Sequence, residues 1–236
     1  MNIIPGPRLK ETGINHLAIV MDGNARWAAS QNLPRPDGHK QGAETVKKLL
    51  PAFIDLKIPY VTLYAFSSEN WHRSKAEITL LFKLLRYYLK HETPLWKENG
   101  VKIKVIGRLD KLDPSLQKQI DNAIETTQHN TKLTLCIAFS YGARAEIVDA
   151  CQKIIDSGKM KITEDEFKNY LYDPEMPDVD LLIRPSGVVR ISNFLLWQSA
   201  YAELYFSPKY WPEFTKEDLV EALNNYSNRE RTFGGR

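Results

Sequence analysis

The segment Leu17-Ala18-Ile19-Val20-Met21-Asp22-Gly23-Asn24-Ala25-Arg26-Trp27 joins an apolar run to a polar turn. The apolar run predicts a buried strand, and Asp22-Gly23-Asn24 predicts the sharp turn in which that strand ends. Exposed amides at a predicted helix start and the guanidinium of Arg26 follow the turn. Amides and an arginine suit a diphosphate, and the carboxylate of Asp22 suits its magnesium ion. The alternative interpretation is a tight surface turn capped by Asp22 or Asn24, because such turns are common in α/β proteins.

Length and charge narrow the class of protein. The chain of 236 residues can bury a large core and fits one α/β domain at least as well as two small ones. Its 32 basic and 29 acidic residues give a net charge of +3, which is too small to indicate nucleic acid as a partner. Any anion-binding site must therefore come from a local cluster of basic residues.

Cysteine usage and hydropathy predict a cytoplasmic location. Cys136 and Cys151 lack the spacing of metal ligands, and we expect both to be buried free thiols in a reducing compartment. No apolar run approaches the roughly 20 residues of a membrane span. Residues 1–13 mix proline, glycine and charge without the apolar centre of a signal peptide, so they are assigned as an N-terminal tail ahead of one domain at 14–236.

Short apolar segments alternate with helical patterns along the whole domain. The predicted strands lie at 14–21, 60–66, 101–106, 133–139, 180–183 and 202–206. The predicted helices lie at about 41–57, 75–99, 114–129, 143–157, 164–171 and 215–227. This order predicts right-handed crossovers and a single α/β domain, with a mainly parallel central sheet of about six strands flanked by helices.

Polar residues follow the predicted strands at 14–21, 60–66 and 180–183. A Pro-rich turn adds Arg35 and His39, and it lies between the helix predicted to start at Asn24 and the next predicted helix. Ligands of parallel α/β sheets bind outside the carboxyl ends of the strands, so we expect these residues on one rim. Arginine recognises phosphate bidentately, and two neighbouring diphosphates would need about five arginines. The alternative is that these arginines are solvated surface residues. The five arginines of this rim are Arg26, Arg35, Arg73, Arg184 and Arg190.

Four sequence blocks carry a resemblance to a known family. Met21 to Ala28, Tyr64 to Trp71, Tyr141 to Arg144, and Arg184 to Phe206 resemble the signature blocks of the cis-prenyltransferases, most closely those of the bacterial undecaprenyl diphosphate synthases. The ending from Asn228 to Gly235 resembles theirs as well. Several long blocks in the same order are more specific than one short motif.

This resemblance implies an enzyme and its partners. It implies a Mg²⁺-dependent homodimer that elongates an allylic diphosphate, usually farnesyl diphosphate, with isopentenyl diphosphate units. The product would be a Z-polyprenyl diphosphate such as undecaprenyl diphosphate, the precursor of the lipid carrier for cell-wall synthesis. A shorter-chain synthase is the alternative within the family. The hydrophobic polyprenyl product implies peripheral contact with the inner face of the membrane.

The resemblance also implies roles for individual residues. Asp22 would bind magnesium, and Glu203 would be a second magnesium ligand supplied across the dimer interface. The residues implied for the allylic diphosphate are Gly23, Asn24, Ala25, Arg26, Trp27, Arg35 and His39. Those implied to line the reacting centre are Ser67, Asn70, Trp71 and Arg73, and the neighbouring Ser68 and Glu69 are assigned to substrate binding. Those implied for isopentenyl diphosphate are Arg184, Arg190, Ile191 and Ser192.

Several of these roles have chemical alternatives. Asn70 is implied in proton removal, but a neutral amide is a poor base, so it would orient a water or a phosphate oxygen that takes the proton. Glu69 is favoured as a loop-stabilising acceptor and His72 as an exposed neighbour. Trp71 would either shield the allylic cation with its ring or pack against the core. Read alone, Glu203 is equally compatible with the exposed face of a strand.

The helical pattern from Ala76 to Tyr88 has an apolar stripe wider than one core-facing side requires. The resemblance makes this helix one wall of a hydrophobic tunnel, together with Ala65 and the strand at 133–139. An ordinary core helix is the alternative. Pro94 falls within the pattern and is expected to kink it.

Departures from the family pattern concern the phosphate loops. Ala25 stands where glycine is usual, and Ser140 and Ala143 replace the common Asn and Gly beside Tyr141-Gly142. The pair Val188-Val189 replaces polar residues before Arg190.

Two other classes of protein remain as alternatives, namely a non-catalytic partner subunit of the same fold and a general phosphate-ester hydrolase.

Overall fold

The structure is a computed structural model, and it describes residues 13–230. The first twelve residues of the predicted tail and the end of the C-terminal block, from residue 231 onward, lie outside the described residues. Within the described part the chain forms a single α/β domain.

Within residues 13–230, six strands form one sheet, and every neighbouring pair in it is parallel. Their order across the sheet is β3-β4-β2-β1-β5-β6. The predicted parallel α/β sheet of six strands is confirmed. The strands are β1 (His16–Val20), β2 (Tyr60–Ser67), β3 (Val101–Ile106), β4 (Leu133–Tyr141), β5 (Leu181–Arg184) and β6 (Glu203–Phe206).

Helices cover both faces of this sheet. Four short 3-10 turns supplement them, at Ser68–His72, Leu109–Lys111, Lys168–Tyr170 and Trp211–Glu213. The helices are α1 (Asn24–Ser30), α2 (Arg35–Asp55), α3 (Lys75–Glu98), α4 (Pro114–Thr127), α5 (Ala143–Asp156), α6 (Glu164–Phe167) and α7 (Lys216–Ser227).

The central strand β1 is buried on both sides, which explains its continuous apolar sequence. Successive side chains of a strand point to opposite faces. Leu17 and Ile19 accordingly join the apolar core on one face, and Ala18 and Val20 join the core on the other. Because both faces are filled, the polar residues that follow β1 are directed to the carboxyl edge of the sheet.

The start of α2 corrects the sequence prediction. The helix begins at Arg35 rather than near residue 41, so Arg35 and His39 lie on its first turns and not in a turn before it. The predicted turn is wrong because Pro36 lies within the first helical turn, where a missing amide hydrogen costs no hydrogen bond. Helix α3 continues through Pro94 to Glu98.

The two cysteines differ in exposure. Cys136 is fully buried in β4, as expected, whereas Cys151 is exposed on α5, so the prediction that both are buried is wrong for Cys151. Helix α5 buries Ala150, and the next residue is rotated by about 100° around the helix axis, away from the core. Among residues 13–230, none of the helices combines the length and the hydropathy that a bilayer span requires.

Candidate active site

Asp22 lies at the carboxyl end of β1, immediately before α1. Gly23 is the residue before the first turn of α1 and has φ of 97°, a conformation that favours glycine. A Cβ atom at Gly23 would lie 2.7 Å from the ring of Tyr210, so the turn also needs the small residue for space. The amide of Gly23 donates to Oδ1 of Asp22 at 2.7 Å, which fixes the carboxylate toward the edge of the sheet.

Arg184, at the end of β5, is the main partner of Asp22. Its Nη2 and Nε atoms donate to Oδ2 of Asp22 at 2.8 and 3.3 Å. Its Nη1 atom donates to the carbonyl of Arg190 at 2.5 Å and to Oγ of Ser192 at 2.6 Å. Arg184 is only 5% exposed, so this single guanidinium joins the β1 turn to the loop after β5.

Two further groups bind the Asp22 carboxylate. Ser186 donates to Oδ2 at 2.9 Å, and Nη2 of Arg26 lies 3.2 Å from Oδ1. Burial alone would raise the pKa of Asp22, but the hydrogen bonds from Arg184 and Ser186 outweigh it and hold the pKa below its usual value. Asp22 is therefore a carboxylate at neutral pH.

A second carboxylate, that of Glu77, organises the opposite side of the site. It accepts hydrogen bonds from Arg35 at 2.9 Å and from Arg73 at 2.8 Å, and Nε2 of His39 lies 3.3 Å away. The Glu77 side chain is 9% exposed. Three of the predicted phosphate-binding residues thus converge on one buried carboxylate.

The ionisation of this cluster follows from its burial and charge. Burial lowers the pKa of His39 more than Glu77 raises it, so His39 is neutral near pH 7. Burial would raise the pKa of Glu77, but Arg35 and Arg73 hold it below its usual value. The cluster therefore carries a net positive charge from its two arginines and one carboxylate.

Sequence reasoning missed Glu77, although a signal was present. Ser74 and Glu77 have the spacing of an N-cap and the third helical residue, and Ser74 does cap α3 by accepting from the amide of Glu77. Arg73 precedes Glu77 by four residues and forms an ion pair with it. These patterns place Glu77 in the first turn of α3, beside the post-β2 arginine.

The residues around Asp22 and Glu77 enclose a polar cavity of about 670 Å³. Four of the five predicted rim arginines line it. It also has wall residues that the sequence did not single out as site residues, among them Tyr64, Leu81 and Asn193. The predicted residues on its wall are Asp22, Gly23, Asn24, Ala25, Arg26, Arg35, His39, Ser67, Glu69, Asn70, Arg73, Arg184 and Ser192.

Other predicted site residues lie off this wall. Arg190 is exposed, and its carbonyl rather than its guanidinium contacts Arg184. Trp71 donates from Nε1 to Ser140 at 3.1 Å and packs edge-on against Phe66 and Phe82. Trp71 thus packs against the core, and shielding of an allylic cation by its ring stays a prediction. The predicted residues outside the wall are Trp27, Ser68, Trp71, Arg190, Ile191 and Glu203.

The loop after β2 is fixed by its own side chains. Oδ1 of Asn70 accepts from the amide of Ser67 at 3.2 Å, in a capping box at the start of the 3-10 turn. Glu69 accepts from Nδ2 of Asn193 at 2.9 Å, which is the contact expected of a loop-stabilising acceptor. His72 is exposed. The amide group of Asn70 is thereby held at the cavity wall.

Glu203 lies far from Asp22 within one chain. It is the first residue of β6. In the sheet register, Glu203 pairs with Leu181 of β5, and Leu181 pairs with Leu17 of β1. Asp22 is five residues beyond Leu17, which corresponds to about 16 Å along the strand direction. Arg229 binds the Glu203 carboxylate at 2.5 Å. The structure does not bring the two predicted magnesium ligands together within one chain.

A second, apolar cavity of about 140 Å³ adjoins the polar one. Met21, Asn24, His39, Ala65 and Leu81 line both cavities. The remaining wall of the apolar cavity comes from α2, α3 and the sheet. It includes the predicted tunnel residues of α3 and β4, namely Leu81, Leu84, Leu85, Tyr88, Leu135, Ile137 and Phe139.

The charge pattern suits a magnesium ion that arrives with a phosphate ligand. Within residues 13–230, no three His, Cys, Asp or Glu side chains cluster as a protein-only metal site would require. Magnesium is commonly held by one or two carboxylates together with substrate phosphates and water. Asp22 offers one carboxylate among arginines, whose guanidinium groups are chemically suited to phosphate, so the residues fit a shared magnesium–diphosphate group.

Comparison with known proteins gives consistent matches. A family model described as "Putative undecaprenyl diphosphate synthase" matches residues 20–234. An isoprenyl transferase from Rickettsia bellii is 68% identical over 225 residues, covering 95% of this chain and 100% of the relative. An isoprenyl transferase from Fusobacterium nucleatum is 48% identical, covering 93% of this chain and 95% of the relative.

Two solved structures share the fold. Lavandulyl diphosphate synthase from Lavandula x intermedia, in complex with dimethylallyl diphosphate, has a TM-score of 0.91 and 34% identity, covering 95% of this chain and 100% of that one. A structure described as "a probable undecaprenyl diphosphate synthase" from Campylobacter jejuni has a TM-score of 0.81 and 38% identity. That match covers 94% of this chain and 98% of the other.

Proposed function

Because the chain belongs to the undecaprenyl diphosphate synthase family of prenyltransferases, we propose that it condenses isopentenyl diphosphate onto an allylic diphosphate. The proposed primer is farnesyl diphosphate, and the proposed product is a long-chain Z-polyprenyl diphosphate such as undecaprenyl diphosphate, the lipid-carrier precursor for cell-wall synthesis. One observation carries this proposal. A cavity lined by four arginines and Asp22 shares part of its wall with an apolar cavity, as a ligand with a diphosphate head and a prenyl tail requires.

The allylic diphosphate is proposed to bind between the start of α1 and the Glu77 cluster. Arg26, Arg35 and Arg73 supply positive charge there, and the first amides of α1 supply neutral donors. When the new bond forms, the diphosphate leaves with the bonding electrons, and these donors stabilise its growing charge. Magnesium bound by Asp22 and the diphosphate would act as a Lewis acid on the leaving group.

Isopentenyl diphosphate is proposed to bind on the Arg184 side. Arg184 and Ser192 line the cavity there and are already hydrogen-bonded to one another. The exposed side chain of Arg190 would add a third donor by turning toward the cavity. The proposed arrangement would set the alkene of one substrate beside the allylic carbon of the other, which is the geometry that bond formation needs.

One proton must leave the new chain after the carbon–carbon bond forms. Asn70 lies on the wall of the cavity, and its Oδ1 atom is held by the amide of Ser67. We assign Asn70 the orientation of a water or of a phosphate oxygen, and that oxygen accepts the proton. Glu69 is engaged with Asn193 and serves the loop rather than the proton transfer.

The role of Glu203 as a magnesium ligand requires a second copy of the chain. The proposed homodimer would place Glu203 of the partner subunit beside the substrates, since the separation within one chain is too large. The enzyme is also proposed to be cytoplasmic. It would contact the membrane peripherally, because its product would be a lipid.

A shorter-chain synthase is the second candidate. The apolar cavity of about 140 Å³ is small, and the structural neighbour from Lavandula is a lavandulyl diphosphate synthase bound to dimethylallyl diphosphate. A cavity of about 150 Å³ holds one benzene molecule, so a long product would have to enlarge this one. A non-catalytic subunit is less consistent with the chain, because Asp22 and the arginines are retained.

The test is incorporation of labelled isopentenyl diphosphate into butanol-extractable product, with farnesyl or dimethylallyl diphosphate as primer. We expect incorporation that requires magnesium and is abolished by EDTA and by Asp22→Ala. A sizing plate of the same product separates the long-chain and short-chain candidates. Absence of incorporation by folded wild-type protein with magnesium, or equal incorporation by Asp22→Ala, would refute the proposal.

A further inference from the structure

The apolar cavity runs between α2 and α3, away from the polar site. Its wall begins at His39 and Leu81, which also touch the polar cavity, and continues to Leu50 and Trp96. Leu81 and Trp96 are fifteen residues apart on α3, which corresponds to about 22 Å along the helix. The cavity is therefore long and narrow for its volume of about 140 Å³.

Charged residues lie near the distant end of this apolar wall, about one helical turn before Leu50 and Trp96. Lys47 of α2 and Glu92 of α3 both line the cavity, and the Nζ atom of Lys47 lies 2.8 Å from Oε1 of Glu92. The Glu92 side chain is 9% exposed, whereas that of Lys47 is 49% exposed. A buried carboxylate thus faces the cavity, and its counter-ion reaches it from the solvent side.

A second polar contact ties α2 to α3 along the same cavity. The hydroxyl of Tyr88, which lines the cavity, donates to Oε1 of Glu44 at 2.7 Å. Lys47 and Glu92 lie one helical turn further along both helices. A growing prenyl chain would reach the Tyr88–Glu44 contact first and the Lys47–Glu92 contact next. To grow further, it would have to separate the two helices.

We propose that the Lys47–Glu92 pair forms a polar constriction near the far end of the apolar cavity and limits the length of the prenyl chain that the enzyme makes. This inference rests on the proposed function. It assigns a specificity-determining role to two residues that do not touch the reacting atoms.

The physical basis is the cost of packing hydrocarbon against an ion pair. Glu92 is tolerated in an apolar wall because Lys47 neutralises it and retains access to water. A chain that advanced past the pair would strip this remaining hydration without offering a hydrogen bond. It would also have to open the α2–α3 contact that the pair maintains.

The experiment compares product lengths on a sizing plate, with farnesyl diphosphate as primer and labelled isopentenyl diphosphate. The double variant Lys47→Met, Glu92→Leu replaces the ion pair by apolar side chains of similar size. We expect its main product to be longer than that of the wild type by at least one five-carbon unit. Glu92→Gln keeps the shape and removes one charge, so it should shift the distribution in the same direction by less.

The control is the double variant Lys159→Met, Glu166→Leu, which removes an ion pair of 2.7 Å that lies outside both cavities. It should leave product length unchanged. Should the double variant at the cavity fail to fold, Glu92→Gln decides the question. Folded variants that make prenyl product of unchanged length overturn this inference alone, whereas absence of any prenyl product from the wild type overturns the proposed function.

Discussion

Arg184 binds the carboxylate of Asp22 with two nitrogen atoms, and with its third it binds the loop that carries Ser192. The polypeptide thereby couples the two proposed substrate subsites through one buried guanidinium. A fixed fork of donors is a property of arginine that lysine lacks.

Arg184→Lys should therefore reduce kcat/KM for isopentenyl diphosphate by about 100-fold, the scale on which a small misplacement of reacting groups acts. Lysine has one nitrogen in place of three, so it cannot keep the two-nitrogen contact with Asp22 while binding Ser192 through another nitrogen. The measurement is steady-state incorporation of labelled isopentenyl diphosphate. Arg108→Lys is the matched control, because Arg108 forms a similar two-nitrogen contact with Asp149 away from both cavities. An equal loss in both variants would contradict the assignment.

Glu77 positions Arg35, His39 and Arg73, so its removal should affect binding of the allylic diphosphate. In Glu77→Ala the two arginines become mobile solvated side chains, and we expect KM for the allylic substrate to rise about tenfold, with a smaller change in kcat. Glu77→Asp should lie between this variant and the wild type. Steady-state kinetics with varied primer concentration measure both parameters.

Glu166→Ala is the control for this variant. The amide of Glu166, like that of Glu77, donates to the N-cap side chain of its helix, and Glu166 also forms an ion pair, with Lys159, but it lies outside the site. Unchanged KM in Glu77→Ala, or the same rise in Glu166→Ala, would show that Glu77 has no positioning role.

Gly23→Ala should destabilise the fold as well as the site. The φ of 97° is unfavourable for alanine, and the added Cβ would lie 2.7 Å from the ring of Tyr210. Strain and overpacking of this kind typically cost about 1–3 kcal/mol. Urea denaturation measures the loss. Gly158→Ala separates the two causes, because Gly158 has φ of 72° and no atom within 4 Å of the added Cβ. Equal losses at both positions would rule out the contact with Tyr210.

The sequence predicted the inner strands of the sheet well because strands such as β1 and β5 are buried on both faces. The edge strand Val101–Ile106 was delimited correctly by the alternation of apolar residues with Lys102 and Lys104 and by Gly107, and the polar loops after β1, β2 and β5 do meet at one edge. Local pattern is sufficient where a strand's environment is uniformly apolar. The start of α2 was missed because proline in a first helical turn has the same local signature as a loop.

Contacts between distant segments account for the rest. Glu77 gains its role only when α3 packs beside α2, forty-two residues away from Arg35 in sequence. The position of Glu203 depends on strand register, which sets β6 level with the start of β1 rather than with Asp22. The family resemblance supplied Glu203 as a ligand, but no pattern in one chain shows which subunit it would serve.

His16 gives the fold a specific dependence on pH. It is fully buried in β1, where Nδ1 lies 2.7 Å from the carbonyl of Pro177 and Nε2 lies 2.7 Å from Oγ1 of Thr62. A carbonyl can only accept, so the neutral ring carries its proton on Nδ1 and accepts at Nε2. Burial lowers the pKa of His16 to about 4, although the contact with Pro177 opposes this.

The direction of the effect follows from the protons bound in each state. Between the unfolded pKa of 6.5 and the folded pKa of about 4, the unfolded chain binds a proton at His16 that the folded chain excludes. Stability is therefore retained above pH 6.5 and lost as the pH falls toward 4. Over the interval from pH 7 to pH 5 the loss from this residue should be about 2 kcal/mol.

His16→Gln tests this dependence, because glutamine keeps one donor and one acceptor but does not titrate. The free energy of unfolding, measured in urea at pH 7 and pH 5, should fall by about 2 kcal/mol more in the wild type than in the variant. Carboxylates that titrate in this range contribute equally to both proteins and cancel in the difference. A wild type and a variant with the same pH dependence would show that His16 becomes protonated in the folded state.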